Sequence, residues 1–262
     1  MLPFVYIDGH PVAMYAVTAV FGIIFVVIIG LCKRKSFGLR KRDILRLVAF
    51  ATIGALTGAR LFSAIGQFVR HGGEPDFWTL ERLARILNAG GVFYGGLIGA
   101  VGMAMLRAKI GRISMKSLFN YAAYATFAFQ IFGRLGCYCA GCCYGITLAG
   151  GTRFPSQLFE AGFCFVALLA FLIVKPERRW PNIPLFPVCL IIYSAGRFIL
   201  EFFRGDANRG VWILSTSQWI AIALIIIVVV WLKKSGALSR SNKSSKQNTQ
   251  NMQEGSLCEK NQ

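Results

Sequence analysis

Charged residues are scarce in this chain of 262 residues. Asp, Glu, Lys and Arg together make up 15% of the sequence and only 11 residues are acidic, whereas 55% are hydrophobic. Apolar runs near the ~20 residues that span the hydrocarbon of a bilayer recur along the chain. The composition therefore excludes a soluble globular protein and indicates an integral membrane protein.

Histidine is rarer still, since His10 and His71 are the two histidines and they stand far apart. Cysteine is not scarce, and four of the eight cysteines form a quartet at positions 137, 139, 142 and 143. No His or Asp completes a recognisable zinc spacing with the quartet, so packing filler or disulfides are favoured over a metal centre, and an acceptor nucleophile stays open. Glycines at 133, 136, 141 and 145 surround these thiols, and they predict a ligand-facing turn rather than a plain helix over 133–145.

The apolar runs predict an all-α membrane protein, a polytopic bundle of seven transmembrane helices. The predicted spans are 11–32, 44–68, 90–107, 117–134, 157–174, 184–202 and 216–232. Together they form one transmembrane domain over residues 1–234. Residues ~70–89 have the spacing of an interfacial helix, and the polar residues 235–262 are expected to form a disordered cytoplasmic tail.

The formal net charge of +18 is distributed in a way that indicates topology. Basic residues follow the first, third, fifth and seventh spans, which places those ends in the cytoplasm, the N-terminus outside and the C-terminus inside. The charge is therefore explained without nucleic acid, which we do not expect as a partner.

Ionisable and hydroxyl side chains within the spans fall at one level, toward the outer face, when they are placed by the ~1.5 Å helical rise per residue. They are Tyr15, Arg60, Tyr94, Arg134, Glu160, Arg197 and Glu201. Arg197 and Glu201 are four residues apart and could form an ion pair on one helix face. Three arginines at this depth predict an anion site, and the abundant anion of a bilayer is a phospholipid head group.

Several motifs occur in a fixed order along the chain. They are Gly-Ala-Arg at 58–60, Tyr-Gly-Gly-Leu-Ile-Gly at 94–99, Gly-Arg-Leu-Gly at 133–136 closing on Gly145, Arg-Phe-Pro-Ser-Gln-Leu-Phe-Glu at 153–160, Arg-Phe-Ile-Leu-Glu-Phe-Phe-Arg-Gly-Asp at 197–206, and Arg209-Gly210. Over residues ~10–232 the chain resembles the bacterial prolipoprotein diacylglyceryl transferases, because several multi-residue motifs agree in order.

The resemblance implies that the diacylglyceryl group of phosphatidylglycerol passes to the thiol of a lipobox cysteine in a prolipoprotein signal peptide, which leaves a thioether and glycerol phosphate. The reaction is expected at the outer face of the bacterial cytoplasmic membrane, with the lipid bilayer as surroundings and with no metal or other cofactor. The implied catalytic residues are Arg134, Arg197, Glu201, Tyr15 and Tyr94. The implied head-group ligands are Arg134, Arg197, Arg204, Arg60 and Gly145.

The chain departs from the family pattern at three polar positions. Tyr94 stands where the family commonly has His, Cys137 where it has Asn, and Cys142 where it has Glu. Because tyrosine is a poor base at neutral pH, the identity of the base stays open, as do the roles of Cys137, Cys142 and Glu160. A second interpretation is a thiol-redox or metal-binding membrane protein that uses the quartet. A transporter is less favoured because the polar groups stop at one face.

Overall fold

The computed structural model describes residues 4–7, 10–71, 79, 93–148, 150–205, 210–211 and 214–234. These residues are mainly helical, as the sequence predicts. The helices are α1 (Met14–Phe37), α2 (Lys41–His71), α3 (Phe93–Ile110), α4 (Met115–Ala140), α5 (Ser156–Val174), α6 (Pro176–Arg179), α7 (Leu185–Glu201) and α8 (Thr216–Lys234). Two small antiparallel hairpins complete the described elements: β1 (Phe4–Ile7) pairs with β2 (His10–Ala13), and β3 (Gly210–Val211) pairs with β4 (Leu214–Ser215).

Each of the seven predicted spans coincides with one long helix, within a few residues at its ends. Four helical segments of the described chain are long and apolar enough to cross a membrane: Met14–Phe37, Lys41–Val69, Ser156–Val174 and Ser217–Lys234. The protein thus has the helices of a membrane protein, while the count of seven spans and their orientation stay predictions. Most of the proposed interfacial segment and the whole of the proposed tail lie outside the described residues.

Two local predictions are wrong. Helix α4 continues to Ala140, so residues 133–140 are helical and the turn begins only at Gly141, which has φ +72°. Gly136 serves helix packing instead, because a Cβ there would collide with Thr18 and Tyr15 on α1. The first predicted span also begins too early, since residues His10–Ala13 form strand β2 and pair with β1.

The described chain divides into two compact units, one comprising Met1–Ile29 with Phe119–Gln262 and the other Gly30–Leu118. In the second unit, helices α2 and α3 pack backbone against backbone through two pairs of glycines. A Cβ on Gly54 or Gly58 would meet the carbonyl oxygen of Gly99 or Gly95, respectively. Small residues four apart on both helices permit this close approach, which is a common way for helices to associate in lipid.

Helix α2 begins with a charge network. Asp43, in its first turn, accepts a hydrogen bond from the backbone N–H of Arg40 (3.3 Å) and forms an ion pair with that residue's guanidinium (2.9 Å). The buried Arg107 at the end of α3 lies 3.7 Å from the same carboxylate. The acidic residue therefore caps the helix and neutralises a cation that would otherwise be buried alone.

The first unit has a core of large side chains from α4, α5 and α7. Tyr124 and Phe127 of α4 are fully buried, and both rings contact Phe171 of α5 edge to face. The Tyr124 hydroxyl donates a hydrogen bond to Glu177 (2.5 Å) just beyond α5. Helix α8 covers α7 with an apolar surface that includes Val228. These contacts hold α4, α5 and α7 together, and the polar cluster described below lies between the same helices.

We expect Gly99→Ala to destabilise the protein, because the new Cβ would meet a backbone carbonyl of α2 that cannot move aside. Overpacking of this kind typically costs about 1–3 kcal/mol. The matched control is Gly102→Ala on the same helix, where a Cβ meets nothing within 4 Å and higher helix propensity should leave stability equal or raised. Thermal unfolding of the two variants in detergent tests this, and equal midpoints would contradict the close α2–α3 packing.

Candidate functional site

A buried carboxylate, Glu160, lies between two arginines from different helices. Its Oε1 is 2.8 Å from Nη2 of Arg134 on α4, and its Oε2 is 3.0 Å from Nη1 of Arg197 on α7. The Glu160 side chain is 4% exposed and each of the two arginine side chains is 14% exposed. Helix α5 thus places one acid between α4 and α7, and each of its oxygens pairs with one guanidinium.

The network continues toward the end of α7. Nη2 of Arg197 is 3.2 Å from Oε2 of Glu201, which confirms the ion pair expected from their spacing. The same carboxylate oxygen is 3.9 Å from Nε of Arg204, three residues further along the chain. Three arginines and two glutamates therefore form one connected cluster, which we call the arginine cluster: Arg134, Glu160, Arg197, Glu201 and Arg204.

Two members of this site were missed by sequence reasoning. The hydroxyl of Tyr193 donates a hydrogen bond to Oε1 of Glu160 (2.9 Å) and accepts one from Nε2 of Gln130 (2.5 Å). Gln130 precedes Arg134 by four residues on α4, and Tyr193 precedes Arg197 by four on α7. The signal was therefore present, because a polar residue one turn from a buried arginine lies on the same helix face.

The chain after α4 folds back on itself as a short irregular hairpin. The amide of Gly145 donates to the carbonyl of Phe154 (2.8 Å), and the amide of Ile146 donates to the carbonyl of Phe203 (3.0 Å). A Cβ on Gly145 would collide with both carbonyls, so only glycine permits this crossing of three backbone segments. The crossing joins the end of α4, the start of α5 and the segment after α7, which carries Arg204. The predicted contact of Gly145 with a head group stays a prediction.

Three of the four clustered cysteines come together in this turn. The Sγ atoms of Cys137, Cys142 and Cys143 all lie within 4.8 Å of one another, and we call these residues the thiol triplet. Cys139, on the same last turn of α4, does not belong to the triplet. All described cysteines are free thiols, so the structure shows no disulfide in the described part of the chain.

The Cys143 thiol has an unusual electrostatic environment. A hydrogen bond from the Cys137 thiol, together with the charge and a hydrogen bond of Arg204, lowers the pKa of Cys143 to about 5. Burial raises the pKa of Cys142, its neighbour in the turn. Of these two turn cysteines, Cys143 thus has the surroundings that favour the thiolate form, and its thiol interacts with Arg204 of the arginine cluster.

The remaining predicted residues have different outcomes. Tyr15 on α1 packs against Gly136 of α4, the residue directly before Cys137, and is about half exposed. Arg60 on α2 is exposed and belongs to the second unit, as does Tyr94, whose side chain is outside the described part. The roles of Tyr94 and Arg60 in the site thus stay predictions.

The arginine cluster has the properties of an anion site. Its three cations exceed its two carboxylates by one charge, and its side chains are buried enough to lose most of their hydration. Guanidinium groups stay ionised under such conditions and bind phosphate through two parallel hydrogen bonds. The cluster can therefore hold a phosphate group and stabilise the charge that develops when that phosphate leaves.

Comparison with known proteins agrees with this chemistry. The family model described as prolipoprotein diacylglyceryl transferase matches residues 3–233. The chain is 30% identical to the phosphatidylglycerol--prolipoprotein diacylglyceryl transferase of Clostridium tetani over 235 residues, covering 84% of this chain and 91% of that protein. It is 28% identical to transferase 2 of Clostridium perfringens (84% and 90% covered) and 25% identical to the Oceanobacillus iheyensis enzyme (83% and 82% covered). With a family match over nearly its whole length, the chain belongs to the prolipoprotein diacylglyceryl transferase family.

Proposed function

We propose that this protein transfers the diacylglyceryl group of phosphatidylglycerol to the cysteine thiol of a prolipoprotein lipobox. The names of its relatives give phosphatidylglycerol, the diacylglyceryl group and prolipoprotein for their own reactions. The observation that carries the proposal is the buried cluster of three arginines joined through Glu160 and Glu201. The sulfur attacks the glycerol carbon that bears the phosphate, the carbon–oxygen bond breaks, and the electron pair leaves with the phosphate oxygen. The thiol proton must be lost, and the products are a thioether and glycerol phosphate.

The main task of the protein in this reaction is to bind and stabilise the phosphate. Before substrate binds, Glu160 forms ion pairs with two guanidinium groups and fixes their directions. A head-group phosphate that approaches Arg134 and Arg197 meets donors that are already oriented, so little reorganisation is needed as the leaving group gains charge. Glu160 is thus a positioning residue, because both of its oxygens are already occupied by Arg134, Arg197 and Tyr193.

We also propose that the helices span the bacterial cytoplasmic membrane seven times, with the N-terminus outside and the C-terminus in the cytoplasm. Basic residues occupy the last turns of α1, α3, α6 and α8, which are the ends that the positive-inside rule places in the cytoplasm. Helices α4 and α7 would begin on the cytoplasmic side in this orientation. Arg134 and Arg197 lie near the C-terminal ends of these two helices, and the arginine cluster would therefore lie toward the outer face. This orientation would let the site meet lipid and the signal peptides of exported prolipoproteins.

Replacing either central arginine should strongly slow transfer. We expect Arg134→Gln or Arg197→Gln to lower the rate about 10²–10³-fold, as for the loss of one preorganised donor to a developing anion. Arg→Lys should recover only part of the rate, because an ammonium group cannot make the two-pronged contact. The rate is measured with phosphatidylglycerol and a lipobox peptide at matched protein amounts, and Arg179→Gln, an exposed arginine on α6, is the control.

A double variant separates phosphate binding from charge imbalance. Arg134→Gln leaves Glu160 with one arginine partner, and this alone could disturb the fold. Arg134→Gln with Glu160→Gln removes one charge of each sign and keeps the balance. If the double variant transfers lipid at the parent rate, Arg134 acts only as a counter-ion and the phosphate assignment is wrong.

The tyrosine that holds Glu160 should affect catalysis more than stability. Tyr193→Phe removes the hydrogen bond to Oε1 of Glu160, and we expect transfer to slow by about tenfold, since a hydrogen bond to a charged group is worth ~1.5–3 kcal/mol. Tyr124→Phe is the matched control, because it also removes a buried tyrosine–glutamate hydrogen bond, between α4 and α6 and outside the arginine cluster. It should lower the unfolding midpoint while the transfer rate of the folded protein is kept. Equal rate losses in the two variants would contradict the assigned role of Tyr193.

The orientation can be tested with epitope tags in the full chain. A short tag between Gly150 and Gly151, both at positive φ with open space around them, should be reached by antibody on intact spheroplasts. A tag at the C-terminus should be reached only after the membrane is permeabilised. The reverse pattern would overturn both the orientation and the outer-face site.

A further inference from the structure

The thiol triplet is arranged like the ligands of a small metal ion. The three Sγ atoms lie within 4.8 Å of one another. Two sulfur ligands of a tetrahedral zinc ion lie about 3.8 Å apart, given Zn–S bonds of ~2.3 Å. Small side-chain rotations would therefore bring all three sulfurs to one ion. A disulfide would use only two of these thiols.

The turn that carries the triplet is held in place from several sides. Gly141 (φ +72°) and Cys143 (φ +60°) are both left-handed, which is uncommon for a residue with a Cβ and reverses the chain directly after α4. The carbonyl of Cys143 accepts a hydrogen bond from the Ser156 hydroxyl (2.8 Å), and that of Cys142 accepts one from the Gln157 amide (2.6 Å). The first turn of α5 thus fixes both turn cysteines, so the third thiol, on α4, meets them without further ordering of the chain.

The ligand atoms define the class of metal. In the described part of the chain, the group contains sulfur donors alone, with no imidazole or carboxylate. Thiolates select soft d¹⁰ ions such as Zn²⁺ and Cu⁺ over Mg²⁺ or Ca²⁺. Three protein ligands with a fourth position free are typical of reactive zinc sites rather than closed structural ones. Cys142 is exposed, so an ion and an external ligand can reach this face of the triplet.

The surrounding charges suit such an ion. Three thiolates around Zn²⁺ carry a net charge of −1, which would be costly near the membrane without a cation. Arg204 interacts directly with Cys143, and Arg134 also interacts electrostatically with Cys137, one turn further along α4. These two guanidinium groups can offset part of the negative charge of the loaded triplet.

We propose that Cys137, Cys142 and Cys143 bind one thiophilic d¹⁰ metal ion, Zn²⁺ by preference, and leave its fourth position open to an external thiol. This site is distinct from the phosphate contacts of the arginine cluster but adjacent to them through Arg204.

The open fourth position would allow the acceptor thiol to bind the metal and lose its proton. This step rests on the proposed function. A lipobox thiol that became the fourth ligand would bind as a thiolate and release its proton to water. That sulfur would then attack the glycerol carbon, and the phosphate would leave with the electron pair of the carbon–oxygen bond. An ion held by Cys137, Cys142 and Cys143 would therefore supply the deprotonation of the acceptor thiol.

The metal site is tested by binding, without any measurement of transfer. Full-length protein in detergent is reduced, loaded with Zn²⁺ under anaerobic conditions, freed of excess ion and analysed for metal. We expect about one zinc ion per chain. We expect Cys137→Ser and Cys143→Ser each to lower the affinity for zinc by at least ~10–100-fold, which is the cost of losing only an outer-sphere partner of a metal ligand. Cys139→Ser, on the same helix turn but outside the triplet, is the matched control and should bind as the parent does.

Cobalt reports on the fourth position. Co²⁺ in place of zinc should give thiolate-to-metal charge-transfer bands, and a lipobox peptide should shift them, whereas the same peptide with serine for cysteine should not. The proposal is overturned if the reduced parent protein binds no stoichiometric zinc, or if Cys139→Ser loses as much zinc as the triplet variants do. It is also overturned if two triplet cysteines form a disulfide in the presence of zinc, which the mass of the protein would show as the loss of two hydrogens. Metal binding with an unresponsive cobalt spectrum would overturn the open position. A parent protein that binds zinc but transfers no lipid to a lipobox peptide would instead count against the proposed function.

Discussion

The site depends on one buried carboxylate that accepts two arginines from different helices. Two buried cations side by side repel each other and lose their hydration, so Arg134 and Arg197 need an anion between α4 and α7. Glu160 supplies it from α5, with one oxygen for each guanidinium. The ion pairs thereby fix the rotation of three helices about their axes, and they leave both guanidinium groups with further N–H donors for a ligand.

The same constraint accounts for the neighbouring polar groups. A carboxylate held in low dielectric is stable only when its remaining lone pairs are satisfied, and Tyr193 supplies a further hydrogen bond while Gln130 orients that hydroxyl. Glu201 repeats the arrangement between Arg197 and Arg204 at the end of α7. Alternation of acids and bases lets three cations lie close together. In the proposed function, a bound phosphate accepts hydrogen bonds from these guanidinium groups.

Much of this architecture was predictable from sequence, because membrane helices are specified by composition over ~20 residues. The seven long helices and the Arg197–Glu201 pair follow from hydropathy and helical spacing, which are properties of single segments. The position of Glu160 between Arg134 and Arg197 was not predictable, since it joins residues 26 and 37 positions apart on separate helices. The helical state of 133–140 was also missed, because Gly136 is required by contact with α1, and a glycine needed for packing is indistinguishable in sequence from one needed for a turn.

The cysteines show how the fold brings together residues that their spacing in the sequence does not group. Cys137 and Cys142 stand at two positions where the chain departs from its family's polar residues, and the fold brings both to Cys143 and within reach of Arg204. From the sequence alone, packing filler or disulfides were favoured for the quartet. The reason is that the quartet was compared with metal motifs whose ligands follow one another along the chain. The actual grouping omits Cys139 and depends on the reversal at Gly141 and Cys143, which bends the chain so that residues five and six positions apart become neighbours. A transferase to thiols needs a phosphate site and a means of deprotonating sulfur, and in this chain Arg204 joins the arginine cluster to the thiol triplet, because it interacts with both Glu201 and Cys143.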